Sequence, residues 1–284
     1  MTSFGVPRAS ATRLAVLGAP INHSLSPAIH LAAYEALKLD WTYVAAEVAA
    51  GGLSTWVSTL DDEWRGLSLT MPLKREVMPM LAARHPLVDV VGAANTVLMG
   101  QNGLVGFNTD VFGIVAALRA AGVALVGHTH MFGSGATAAS ALVALAQLGA
   151  RKVTVEARSV VNASPLVGLG QSLEIEVLVI PLVSESCVAA DVDLVVSTMP
   201  GGAVVAPRVD TAVRERAILF DVAYSPWPSN LAREWLAVGG RVVSGLEMLL
   251  HQAVGQVRVF LNGDPDLVLD NEATVLGAMR AAVS

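Results

Sequence analysis

Gly133-Ser134-Gly135-Ala136-Thr137-Ala138 is the stretch on which the fold turns. His130 to Phe132 just before it has strand character, and Thr137 to Leu148 just after it has the small, apolar composition of a buried helix. A glycine turn between strand and helix lets the backbone approach a pyrophosphate and aim the free N–H groups of the helix start at it. Ala138 takes the place of a third glycine, which the pattern allows. Alone, the match also describes an ordinary strand-to-helix turn, so its surroundings must decide.

Downstream they favour a dinucleotide-binding unit. Lys152 to Glu156 reads as the next strand, closing a βαβ unit, and further apolar strands are predicted at Val177 to Ile180, Leu194 to Ser197, Ile218 to Asp221 and Arg241 to Val243. Strands without polar alternation are buried on both faces, the mark of a parallel, doubly wound sheet. From Leu246 onward the periodicity is helical.

Upstream the rhythm differs. Leu14 to Gly18 is the first predicted strand, followed by a polar loop over Asn22 to Pro27 and a helix capped by Ser26 with Pro27 in its first turn. Trp41 to Val48 and Gly66 to Thr70 read as strands, and Ala94 to Met99 with Gly103 to Gly106 as a hairpin about a Gly100-Gln101-Asn102 turn. Asn108-Thr-Asp110 leads into another helix. The expected organisation is an α/β domain over residues 1–111, a Rossmann-type dinucleotide domain over 112–245, and C-terminal helices over 246–284.

Composition narrows the ligand. The 284 residues are 54% hydrophobic and carry a net charge of -6, which gives neither nucleic acid nor an anionic membrane a reason to bind. The longest run free of charged residues, Ala120 to Ala150, is cut by Gly127, His128, His130 and the glycine turn, so it does not read as a membrane span. One cysteine, Cys187, excludes an intrachain disulfide and reads as a small apolar packing residue. No basic flank leads into an apolar segment at the N-terminus, and a cytoplasmic protein acting on a small molecule is expected.

Lys74 is one of three lysines, with Lys38 and Lys152, against fifteen arginines. It leaves the third predicted strand. A sequence that otherwise uses arginine has placed there the cation that can be desolvated and still exchange a proton. Reduction of a ketone needs a proton at the developing alkoxide, and Asp110 would orient the ammonium that delivers it. Each residue taken singly also reads as loop capping.

In combination these residues resemble a known family. Gly18-Ala-Pro-Ile-Asn-His-Ser-Leu-Ser-Pro-Ala-Ile-His30, Ser68-Leu-Thr-Met-Pro-Leu-Lys74, Gly92-Ala-Ala-Asn-Thr96, Gly106-Phe-Asn-Thr-Asp110, Asp221-Val-Ala-Tyr-Ser-Pro226 and Gly245-Leu-Glu-Met-Leu-Leu-His-Gln252 are similar, in order, to six motifs of the shikimate dehydrogenases. The resemblance implies a substrate domain, a Rossmann domain and C-terminal helices returning to the first, with substrate in the cleft between domains. It implies NADP-linked, reversible reduction of 3-dehydroshikimate to shikimate in aromatic amino-acid (chorismate) biosynthesis. Lys74 and Asp110 would be the catalytic pair, and Ser24, Ser26, Thr70, Asn95, Tyr224 and Gln252 would hold substrate. Gly133, Ser134, Gly135, Ala136, Ala138, Arg158, Thr198, Gly245 and Met248 would line the cofactor.

Departures from the pattern leave the cofactor open. The family's Gly-x-Gly-Gly-Ala is Gly-Ser-Gly-Ala-Thr here, and its Asn-Arg-Thr signature is Ala157-Arg158-Ser159. Glu156 would suit the ribose hydroxyls of NAD, whereas Arg158 would pair with the 2'-phosphate of NADP. Arg158 is favoured, because Glu156 can point away on an alternating strand. The rivals are an NAD-linked quinate/shikimate or aminoshikimate paralogue and a non-catalytic NAD(P)-binding sensor. Monomer and homodimer are both open, and so are the roles of His23 and His251. His128 and His130 have no carboxylate cluster near them in sequence, so no metal is expected. His23 and His30 read as buttresses of the serine loop, and Trp56, Trp64, Trp227 and Trp235 as packing, with Trp227 near the cleft.

Overall fold

The computed structural model describes residues 11–183, 188–200 and 208–284; Cys187 lies outside them. Two compact units partition the chain, Met1–Gly113 with Leu249–Ser284, and Ile114–Met248. Among the described residues each unit holds one six-stranded sheet.

The first sheet is built from β1 (Arg13–Gly18), β2 (Thr42–Glu47), β3 (Trp64–Leu69), β4 (Ala83–Arg84), β5 (Thr96–Gly100) and β6 (Gly103–Phe107), in the order β2-β1-β3-β5-β6-β4. β1 runs parallel to both β2 and β3, and the β5–β6 hairpin is joined to β3 through an antiparallel β3–β5 pair. β3 is buried along its whole length, and Leu67, Leu69, Leu53, Leu73 and Val97 share one core with Trp64, against which Trp56 packs edge-on. The C-terminal helix Glu272–Ala281 packs on the helix Ser26–Ala36 within this unit. The sequence predicts Ser26 as the cap of the latter helix. Ser26 instead occupies its first turn with Pro27, and the Ser24 hydroxyl accepts the Ser26 N–H at 3.3 Å.

The second sheet comprises β7 (His128–Phe132), β8 (Lys152–Ala157), β9 (Glu176–Pro181), β10 (Leu194–Ser197), β11 (Ile218–Asp221) and β12 (Val242–Ser244), all parallel. Their order, β12-β11-β10-β7-β8-β9, is that of the doubly wound dinucleotide fold, with its switch point between β7 and β10. The central strands β7 and β10 are buried throughout, whereas β9, at the sheet edge, has only exposed and half-buried residues. Burying each Leu or Val of β10 contributes about 1.5–3 kcal/mol, so this strand needs no polar face to be stable. Trp235 lies fully buried on this sheet's helical layer and donates its indole N–H to the Ala217 carbonyl at 2.9 Å. Trp227, by contrast, is 41% exposed and is no core residue.

Candidate active site

Sheet direction gathers the polar motifs of the first unit. β1, β3 and β6 run out at the end where β5 begins, because Ser68 on β3 and Phe107 on β6 both lie opposite Thr96. The Gly18 loop, the Thr70–Lys74 segment, Asn95 and Asn108–Asp110 therefore leave or enter the sheet at one end of its strands. Gly18 makes the closest approach: a Cβ there would strike the Thr70 side chain and lie 2.8 Å from the Met71 carbonyl.

Lys74 sits on the single turn Leu73–Glu76, held on both sides. Buried Leu73 anchors the turn, the Lys74 carbonyl accepts the Ala94 N–H at 2.9 Å, and Glu76 accepts the N–H groups of Gly51 and Leu53. The ammonium donates to Asp110 Oδ2 at 2.6 Å, with side chains only 14% and 4% exposed. Asp110 opens the helix Asp110–Ala120, where the helix dipole favours a carboxylate. Its other oxygen, Oδ1, accepts Asn95 Nδ2 at 2.9 Å. Asn95 is in turn fixed by the Thr109 N–H, which reaches its Oδ1 at 2.8 Å, and its Nδ2 also donates to Gln252 Oε1 at 3.2 Å.

Lys74, Asp110, Asn95 and Gln252 thus form one hydrogen-bonded group. Ser24 and Thr70 stand on the neighbouring strand-end loops and Ser26 in the first turn of the helix Ser26–Ala36, all outside that network; Ser26 is buried, Ser24 and Thr70 half-buried. In the second unit Tyr224 follows β11, and burial raises the pKa of its phenol, keeping it protonated.

The glycine turn of the second unit leaves β7 at the switch point. Gly133 has φ +101°, and a Cβ there would collide with the Thr198 hydroxyl, which itself donates to the Phe132 carbonyl at 3.0 Å. A Cβ on Gly135 would meet nothing, so the space over the turn is open. Gly135 begins the helix Ala136–Gln147 without a side-chain cap, so its first N–H groups face that space with no competing side chain, while Ser134 is half-buried and Ala138 packs inside. A glycine turn leading into a helix start without a side-chain cap is an arrangement that can take an anionic group. At the end of β8, Glu156 is 1% exposed and meets His130 Nε2 at 3.1 Å, whereas Arg158 is exposed. The strand-end carboxylate is turned into the protein and the guanidinium out of it. His130 thus meets a carboxylate that stands 26 residues away along the chain. His128 faces Thr154 at 3.4 Å. Gly245 approaches the Val222 carbonyl so closely that no side chain fits, and Met248 is buried.

Residues 16–97 match the model of the shikimate dehydrogenase substrate binding domain. A shikimate dehydrogenase (NADP(+)) of Thermosynechococcus vestitus is 34% identical over 266 residues, which cover 89% of this chain and 90% of that one. The chain belongs to the shikimate dehydrogenase family. Family members of known structure include the shikimate dehydrogenase of Mycobacterium tuberculosis, 37% identical with a TM-score of 0.81 over 95% of this chain and 99% of that one. Another, from Thermus thermophilus, was solved in complex with NADP(H) and shikimate; it is 30% identical, with a TM-score of 0.80 over 96% and 100%.

Beyond the family motifs, one buried residue touching this group escapes a reading of the sequence. Gln256 lies one helical turn beyond Gln252 and donates to the Asn95 carbonyl at 3.2 Å. Its spacing from Gln252, four residues along the same helix face, is the available signal. Burial pushes the Glu272 pKa up, but the bonds from Arg258 and the Leu269 N–H, with the charges of Arg258 and His251, bring it below its usual value. Among the described residues no helix is long and apolar enough to cross a membrane.

Proposed function

We propose that this chain catalyses the reversible, NADP-linked reduction of 3-dehydroshikimate to shikimate. The observation that carries the proposal is the Lys74–Asp110 pair, a nearly buried ammonium and carboxylate 2.6 Å apart in a chain of this family. NADPH, when bound, supplies the hydride to the ring carbonyl carbon. Lys74 Nζ gives its proton to the carbonyl oxygen as negative charge develops there, and in the reverse direction takes it from the hydroxyl. Asp110 keeps the ammonium aimed, and its own second oxygen is satisfied by Asn95, so it has no need to turn away. The 14% exposure of Lys74 lets solvent restore its proton between turnovers.

Ser24, Ser26, Thr70, Asn95, Tyr224 and Gln252 hold the substrate's carboxylate and hydroxyls; a site made of such groups rejects analogues that leave them unpaired. Gly133, Ser134, Gly135, Ala136 and Ala138 cradle the pyrophosphate, Arg158 pairs with the 2'-phosphate, and Thr198, Gly245 and Met248 complete the nucleotide site. The inward turn of Glu156 supports NADP over NAD, because the carboxylate best suited to ribose hydroxyls is engaged by His130. A cytoplasmic protein, monomeric or homodimeric, fits this role.

The test is initial rates of NADP and NAD reduction with shikimate and with quinate, beside Lys74→Ala. The proposal requires turnover of shikimate with NADP, nearly abolished in the variant. Activity with quinate and NAD alone would overturn the substrate and cofactor; undiminished activity of Lys74→Ala would overturn the residue's role.

A further inference from the structure

A chain of buried side chains runs from the interior of the first unit to Asp110, and the direction of every bond in it can be worked out. An ionised Asp110 only accepts, so the NH2 group of Asn95 faces it. The Thr109 N–H fixes Asn95 the same way round from the other side, since a backbone donor requires Oδ1. Thr96, bonded to that Oδ1 at 2.9 Å, is then the donor, and it accepts from Gln256 Nε2 at 3.2 Å. The Asn95 carbonyl, an obligate acceptor, requires that Nε2 is the end of Gln256 that points there.

Gln256 Oε1 consequently faces away from the site, towards His30 Nε2 at 3.0 Å and the Ser68 hydroxyl at 2.9 Å. His30 is fully buried, and that burial lowers its pKa to about 3, so the ring is neutral. Its proton resides on Nε2, and its Nδ1 accepts from the Tyr34 hydroxyl at 3.2 Å. Ser68 is likewise supplied by Tyr43, at 2.6 Å, and Tyr43 stacks on the His30 ring with centroids 4.1 Å apart. Donation thus runs one way from Tyr34 through His30, Gln256, Thr96 and Asn95 to the carboxylate. A row of bonds pointing the same way polarises each member and strengthens the last.

We propose that Gln256, backed by His30, is a positioning residue of the reaction: it fixes the orientation of Asn95, and through Asn95 the carboxylate that aims Lys74. The proposal rests on the assignment of Lys74 and Asp110 as the reacting pair. Gln256 acts on that pair only through Asn95 and Thr96. Its two ends are chemically distinct, and only one orientation satisfies the Asn95 carbonyl, Thr96, Ser68 and His30 together. Gln256→Met keeps the side-chain length and removes all four bonds, so Thr96 is free to turn and Asn95 loses one of the groups that define which end faces Asp110.

The experiment is a double-mutant cycle on the full chain with shikimate and NADP. Gln256→Met is expected to lower kcat about tenfold, a small part of the roughly 10²–10⁴ that a positioned proton-transfer group supplies, with KM for NADP changed less than about twofold. In an Asp110→Asn background the same substitution should cost less than about twofold, because the group through which it acts is gone. Thr96→Val, an isosteric break at the next link, should reproduce both results and serves if Gln256→Met does not fold. Equal losses in the two backgrounds would reduce Gln256 to a core residue and overturn the proposal, as would wild-type kcat in either single variant. Failure of the underlying assignment shows separately, as undiminished activity in Lys74→Ala, where the whole chain of bonds is intact.

Discussion

Replacing Asp110 by asparagine changes almost no volume, yet the structure leaves the amide no comfortable orientation. Oδ2 of Asp110 receives the Lys74 ammonium at 2.6 Å and Oδ1 receives the Asn95 NH2 at 2.9 Å, and both partners are donors only. An asparagine turned to accept from Lys74 sets its NH2 against that of Asn95; turned the other way, it sets its NH2 against the ammonium. One charge-assisted hydrogen bond is lost in either case, about 1.5–3 kcal/mol. At about 1.4 kcal/mol per factor of ten, that is a loss of roughly ten- to hundred-and-fiftyfold in kcat/KM. The near-complete burial of both side chains puts the expectation at the upper end, about a hundredfold. The measurement is initial rates with shikimate and NADP at saturating cofactor, with the thermal midpoint followed in parallel. A variant within about threefold of the parent, folded and binding shikimate normally, would refute the idea that Lys74 must be aimed by a carboxylate.

Three further outcomes follow from the same geometry. Arg158→Ala should raise the KM for NADP about tenfold and leave that for NAD within about twofold, since a guanidinium–phosphate pair is worth roughly 1.5–3 kcal/mol; equal effects on the two cofactors would remove Arg158 from the 2'-phosphate. Gly133→Ala should abolish cofactor binding measured by fluorescence titration, because φ +101° and the Thr198 hydroxyl both exclude a side chain; binding at parental strength would refute the tight turn. His30, whose pKa falls from 6.5 to about 3, is protonated in the unfolded chain across a window in which the folded chain refuses the proton. Stability should therefore decline as pH falls from 6.5 towards 3, this residue contributing a slope of about 1.4 kcal/mol per pH unit. Urea titrations of parent and His30→Gln through the upper part of that window should differ in slope by about that amount.

How much of this is legible depends on what each residue's neighbours in sequence reveal. The strands Leu194–Ser197 and Ile218–Asp221 are readable to the residue, because they are apolar runs bounded by charges and turns and the sheet buries both faces. The sequence pattern starts β7 at His130, while the strand begins at His128. Two histidines look like a polar boundary, yet both are buried, with partners Thr154 and Glu156 on β8 that no local pattern announces. The two-residue strand β4, exposed throughout, has no periodicity to detect. At the candidate site the motifs themselves place Lys74, Asn95 and Asp110 at element ends. Gln256 and Ser68 are invisible because their importance lies in contacts 160 and 188 residues away along the chain.

The β5–β6 hairpin has a further implication for how this sequence tolerates change. Its open end carries Asn95 and Asn108–Asp110, while its closed end is the short connection between Gly100 and Gly103, five residues or about 17 Å along the strands. Gln101 and Asn102 are exposed and lie outside the polar group at the other end. An epitope or peptide tag spliced between them would lengthen a surface connection at little entropic cost, leaving the register that aligns Thr96 with Phe107 untouched. That tip is where a label for single-molecule or pull-down work can be carried without loss of turnover.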